Sequence, residues 1–95
     1  MPRRTNSAGS LRAGMSNAIE YLFAASISLA DQAARRQGWQ PHGRTGWLKH
    51  DGGEVHFICF EEQLAVVGKH ATVYFIGWLS PQARRFNCKW SQLRA

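Results

Sequence analysis

The side chains of this chain that can move a proton, neutralise a phosphate or hold a metal fall into a few short stretches. His42 and Arg44 lie in a Pro- and Gly-containing loop, His50, Asp51, Glu54 and His56 bracket Gly52-Gly53, and His70, Arg84, Arg85, Cys59 and Cys88 are scattered beyond. A metal site needs several ligands converging at matched spacing. His56 and Cys59, three apart on a strand, point to opposite faces, and the two cysteines form no C-x-x-C or zinc-ribbon pattern. His50 and His56 flank a turn but supply only two ligands. Asp51 and Glu54 are carboxylates of the type that holds Mg²⁺ in nucleases, yet the position two after Glu54 is His56 rather than Lys, and the turn already accounts for both acids. Glu61-Glu62 stands where the first turn of a helix favours acids. Metal-free RNA cleavage needs a general acid or base and a cation near the phosphate, residue types that His42, Arg44, His50, His70, Arg84 and Arg85 supply. No motif binds them together, so the sequence assigns no catalytic residue, no metal ligand and no cofactor.

Basic residues interleaved with aromatics remain. Arg35-Arg36 precede Trp39, Arg44 precedes Trp47-Leu48-Lys49, and Arg84-Arg85-Phe86 and Lys89-Trp90 stand near the end. Twelve Lys+Arg against six Asp+Glu give a net charge of +6 on 95 residues, which favours a polyanionic or acidic partner over a basic one. The primary expectation is a small non-enzymatic accessory protein that binds DNA or RNA with little sequence specificity. Arg35, Arg36, Arg44, Lys49, Arg84, Arg85 and Lys89 would meet phosphates, and Trp39 or Trp90 would stack on bases. One alternative is a protein-binding inhibitor or accessory subunit of the kind phages and mobile elements encode, blocking an acidic groove with Trp anchors and an Arg rim. A second is a metal-free endoribonuclease toxin: in size, charge and strands following a helix, the chain resembles ribosome-dependent toxin endoribonucleases in composition, without a shared motif. Nucleotide-binding folds are not indicated, because Phe23-Ala24-Ala25-Ser26-Ile27-Ser28 has no Gly to admit a pyrophosphate and no G-x-x-x-x-G-K-[ST] occurs. The start, Met1-Pro2-Arg3-Arg4, leads into no apolar run of signal-peptide length, and nowhere do about 18 apolar residues run together. A cytoplasmic protein with reduced thiols and no membrane partner is expected.

The elements that must carry these residues centre on two apolar runs, Val55 to Phe60 and Thr72 to Trp78, each apolar on both alternating faces, as a strand covered on both sides requires. Glu61 to Gly68 between them reads as a short helix, which makes a parallel crossover the favoured arrangement over an antiparallel meander. Residues 17–37 admit either one long helix with a capping box from Asn17 and Glu20, or a strand over Ala18 to Ala25 followed by a helix capped by Ser28. The second is preferred because it completes an alternation of strand and helix. Residues 40–46 read as loop, and Trp47 to His50 pairs with Glu54 to Phe57 through an Asp-Gly-Gly turn. Ser80-Pro81 opens a helix carrying Ala83, Arg84, Arg85 and Phe86. The expected fold class is α/β, a small Rossmann-like domain of two or three layers with a short, twisted, mostly parallel sheet and an edge hairpin strand. Phe57, Ile58, Val73, Phe75 and Ile76 form its core, and the alternative is α+β, one long helix packed on an antiparallel meander. Residues 1–14, rich in Arg, Ser and Gly, read as a mobile basic arm, and 15–95 as a single domain ending in a basic helix or tail.

Overall fold

A computed structural model describes residues 18–94. The basic arm expected over 1–14 lies outside the described residues. The described elements are β1 (Glu20–Phe23), α1 (Ile27–Arg36), β2 (Gln40–Pro41), β3 (Gly46–Leu48), β4 (Glu54–Ile58), a 3-10 helix (Glu61–Val66), β5 (Thr72–Ile76), α2 (Pro81–Arg84) and β6 (Lys89–Leu93). They build a six-stranded mixed sheet in the order β2-β3-β4-β1-β5-β6. Strands β4, β1, β5 and β6 run parallel, and β3 and β2 fold back antiparallel at one edge. The α/β class and the split of residues 17–37 into strand and helix hold.

Alternation along each strand sorts side chains to two faces. On one face Leu22, Trp47, Val55 and Leu93 are buried beneath α1, which contributes only Ala30, Ala33 and Ala34. Three alanines on the inner stripe of a helix let its backbone lie close to the sheet. On the other face Ile58 and Val73 are buried with Leu64 of the 3-10 helix, Leu79 and Ala83 of α2, while Phe23, Phe75 and Trp90 pack against them. The sheet is thus the middle of three layers. Of the expected core, Ile58 and Val73 are buried, and Phe57, Phe75 and Ile76 are half-buried against the two clusters. No described helix is long and apolar enough to cross a membrane.

Local chemistry explains where the elements stop and where the sequence reading needs correction. The cap of α1 is Ser26, not Ser28: its Oγ accepts the Leu29 N–H at 3.2 Å. Strand β1 ends sooner than the apolar run suggests, so the helix starts sooner too. After Arg36 the chain turns through Gly38, whose φ of +83° is easy only for glycine. Residues 61–66 form a 3-10 helix rather than an α-helix. Gln63 Oε1 accepts the N–H groups of both Cys59 and Phe60 at 2.9 Å, which pins a tight turn directly to the end of β4. The crossover from β4 therefore reaches β5 across β1, and the two central apolar runs flank β1 instead of pairing. Ser80 caps α2 and Pro81 opens it as expected, but the helix ends at Arg84, so Arg85 and Phe86 lie beyond it. Gln40-Pro41, expected as loop, is a two-residue edge strand outside β3, a place where a proline without an N–H is tolerated. The C-terminal segment is a parallel edge strand, β6, rather than a helix or tail, and its register with β5 runs from Thr72↔Lys89 to Ile76↔Leu93.

Candidate nucleic-acid interface

The nine residues expected to meet nucleic acid do not form one surface. Trp39 is only 8% exposed and its ring meets Tyr74 edge-on with centroids 5.0 Å apart. Its expected role as a stacking partner is corrected on that ground, because neither ring face is offered to a base. Lys49 lies at the start of the sheet with its ammonium 2.7 Å from Glu20 Oε1 and 3.9 Å from Asp51. Burial works against the Lys49 charge, yet the hydrogen bond to Glu20 and the neighbouring phenol and carboxylates outweigh it and hold the pKa above its ordinary value. Tyr74 donates to the same Glu20 oxygen at 2.8 Å, and burial first, then that bond, raises the phenol. Arg35 is paired with Asp31 at 2.7 Å across one helical turn. Asp31 also accepts the Trp47 indole N–H at 3.0 Å, and that bond, then Arg35, lowers the carboxyl pKa. Arg36 is exposed at the end of α1, on one face of the sheet, and Arg44 is exposed in the β2–β3 loop at one edge.

Arg84 at the end of α2, Arg85 just after it, and Lys89 and Trp90 on β6 belong together at the opposite edge. The turn that carries them is held by its backbone: Phe86 N–H donates to Ala83 O, Cys88 N–H to Phe86 O, and Lys89 N–H to Ala71 O at 2.9 Å. Trp90 Nε1 also donates to Phe86 O at 3.3 Å, and its ring packs against Phe23 and Phe75. Trp90 is thus a half-buried anchor for the basic turn, packed on the sheet's own aromatics. Arg84 Nε donates to Leu79 O at 3.2 Å and its side chain stays exposed. Burial pushes the Cys88 thiol up.

The bond from Lys89 to Ala71 brings in the preceding turn, where Lys69 and His70 are exposed. Lys69 was missed by the sequence reading, and so was Arg94, which follows β6. The signal that finds them is the distribution of acids. All six Asp and Glu lie between positions 20 and 62, where four Lys and Arg leave a net of −2; residues 63–95 hold five Lys and Arg and no acid. Folding turns this segregation along the chain into segregation in space, since residues 72–93 are the β5–α2–β6 edge. Among the described residues, every ion pair lies on the other half of the domain, and Lys69, Arg84, Arg85, Lys89 and Arg94 take part in none. Such an edge gathers positive charge, with Glu61 reaching it at the α2 cap, where Ser80 Oγ donates to its carboxylate at 3.0 Å.

Comparison with protein-family models, with curated proteins and with solved structures finds no match for the chain.

Proposed function

We propose that this chain binds nucleic acid with little sequence selectivity, as a small accessory protein, through the β5–α2–β6 edge. The observation that carries this reading is the acid-free C-terminal third, whose Lys69, Arg84, Arg85 and Lys89 lie on two turns joined by the Lys89 to Ala71 bond. Cations without a local carboxylate partner can each neutralise a phosphate and release its counterion, which is the driving term of sequence-independent binding. The four-residue α2 beside these turns is too short to read base edges in a groove, so backbone contacts would supply the affinity. Fluorescence anisotropy of labelled single- and double-stranded DNA and RNA at two salt concentrations tests it. Binding to unrelated sequences with similar affinity, weakening steeply with salt, is the expected result; no binding at low salt refutes it.

A second reading, docking on an acidic protein, is favoured by one observation. At the carboxyl ends of β1, β4 and β5, a cavity of about 380 Å³ is lined by Phe23, Leu29, Phe75, Ile76, Trp78 and Leu79 among others. Trp78 is 76% exposed there. An exposed aromatic beside an apolar cavity and near unpaired arginines is the composition of a binding hot spot. Trp78→Ser distinguishes the two readings: it abolishes capture of an acidic protein from nuclease-treated lysate if the second holds, and leaves nucleic-acid affinity unchanged if the first holds.

A further inference from the structure

Across the sheet from the basic edge, His42, Arg44, Glu54 and His56 line one shallow depression of about 240 Å³. Its construction starts with Gly46 on β3, which pairs with His56 on β4. A Cβ at Gly46 would stand 3.0 Å from His42 O and 3.2 Å from Val55 O, so the close approach of this loop to β4 needs a glycine there. The loop before it is fixed at both ends: His42 N–H donates to Gly46 O and Phe57 N–H to Thr45 O, each at 2.9 Å. Gly43, with φ +74°, allows the tight reversal that carries His42 and Arg44 over the strand edge. On the other side of His56 stands Tyr21, its ring edge-on at 6.3 Å.

Glu54 and His56 are two apart on β4 and share a face, and Glu54 Oε1 meets His56 Nε2 at 3.0 Å. That bond first, then the charges of His56 and His42, lowers the Glu54 carboxyl, so it is a carboxylate that orients the ring rather than an acid that donates. It leaves Nδ1 of His56 as the nitrogen that takes up a proton. A base held by a carboxylate, a second histidine and an arginine around one open space are the parts that phosphodiester cleavage without a metal requires.

We propose that this depression is a metal-free transphosphorylation site for single-stranded RNA, an inference that rests on the nucleic-acid reading above. His56 Nδ1 takes the proton of a 2′-hydroxyl as that oxygen attacks the adjacent phosphorus. The bond from phosphorus to the 5′-oxygen breaks, and the leaving oxygen takes a proton from protonated His42. Arg44 holds the non-bridging oxygens as charge builds on them, and Glu54 is a positioning residue acting through His56. The products are a 2′,3′-cyclic phosphate and a 5′-hydroxyl end, and no other reactant enters. His56, Tyr21, Val73 and Trp90 stand in one registered row across the sheet, so the basic edge begins three strand spacings away, roughly 15 Å. A single strand held there by its phosphates reaches the depression.

The test uses the full chain, a short labelled RNA and the same RNA with every 2′-hydroxyl replaced by hydrogen, all in excess EDTA at low salt. The RNA is expected to be cut to cyclic-phosphate ends and the deoxy strand to be bound uncut. His42→Ala and His56→Ala should each slow cutting by about 10²- to 10⁴-fold with RNA affinity and circular dichroism unchanged. Glu54→Gln should displace the acidic limb of the pH–rate profile, where protonation of the base His56 stops the reaction among its neighbours Glu54, Tyr21, His42 and Arg44, and Glu54→Asp should restore part of it. RNA that binds but stays intact overturns the site and leaves the binding reading standing. Cutting that survives both histidine variants overturns it as well, and failure to bind RNA at low salt overturns both.

Discussion

Replacing Arg84 and Arg85 together by Ala should change how steeply binding depends on salt. Lys69, Arg84, Arg85 and Lys89 are the cations of the two joined turns, and none is ion-paired among the described residues. If each neutralises one phosphate of a single strand, log K falls with log salt at a slope of about −0.7 per phosphate, or about −2.8 for the four. The double variant should give about −1.4. From about 50 to about 200 mM salt, affinity then drops about 50-fold for the parent and about 7-fold for the variant. Arg3, Arg4 and Arg12 contribute alike to both chains, so the difference in slope isolates the turn. Folding should survive, because the two side chains are exposed and Arg84 loses only its bond to Leu79 O, a cost of about 1 kcal/mol or less. Anisotropy titrations over a salt series on two unrelated sequences measure the slopes. Arg35→Ala is the control, since Asp31 already pairs with that residue. An unchanged slope in the double variant, or an equal decrease in the control, refutes the reasoning.

Leu22 is fully buried on the central strand, so Leu22→Ala should lower stability by about 2–5 kcal/mol in urea unfolding. Ala34 is fully buried where α1 meets the sheet, and Ala34→Leu should cost about 1–3 kcal/mol by overpacking, a loss that thermal unfolding would register. Ser80→Ala removes the α2 cap, with an expected loss of about 1 kcal/mol. Asp31 has a folded pKa below its unfolded value, so its contribution is complete above the ordinary carboxylate range and is lost as pH falls through the lowered value. Asp31→Asn should therefore flatten the fall in urea midpoint between about pH 6 and about pH 3, and an equally steep fall in the variant would contradict that.

Much of the fold was legible because burial leaves a pattern. Val55 to Ile58 and Thr72 to Ile76 are apolar on both faces, as strands between two layers must be, and the Ser80-Pro81 pair marks a helix start by its cap and fixed φ. Strand β6 was not legible: Lys89, Ser91 and Gln92 are polar, and only pairing with β5 makes Trp90 and Leu93 face opposite clusters. The short helix after β4 was legible but its 3-10 form was not, since Gln63 caps two N–H groups by a side-chain reach that periodicity does not encode. Of the interface, Arg84, Arg85 and Lys89 could be read as a group from proximity in sequence. Lys49 and Arg35 could not be set aside, because their partners Glu20 and Asp31 lie at positions whose neighbours only the folded chain shows. Trp39 looked like a platform and is core because the turn at Gly38 directs it onto Tyr74. The absence of acids after Glu62 was in plain view, and it mattered only once β5, α2 and β6 proved to be one edge.

Chemical-shift mapping by two-dimensional amide NMR, as a single-stranded RNA is added at low salt, tests the central claim most directly. Shifts should concentrate at Lys69, His70, Arg84, Arg85 and Lys89, with smaller changes along β6, and α1 from Asp31 to Arg36 should stay unmoved. Shifts centred on Arg35 and Arg36, or none above the effect of salt alone, would contradict it.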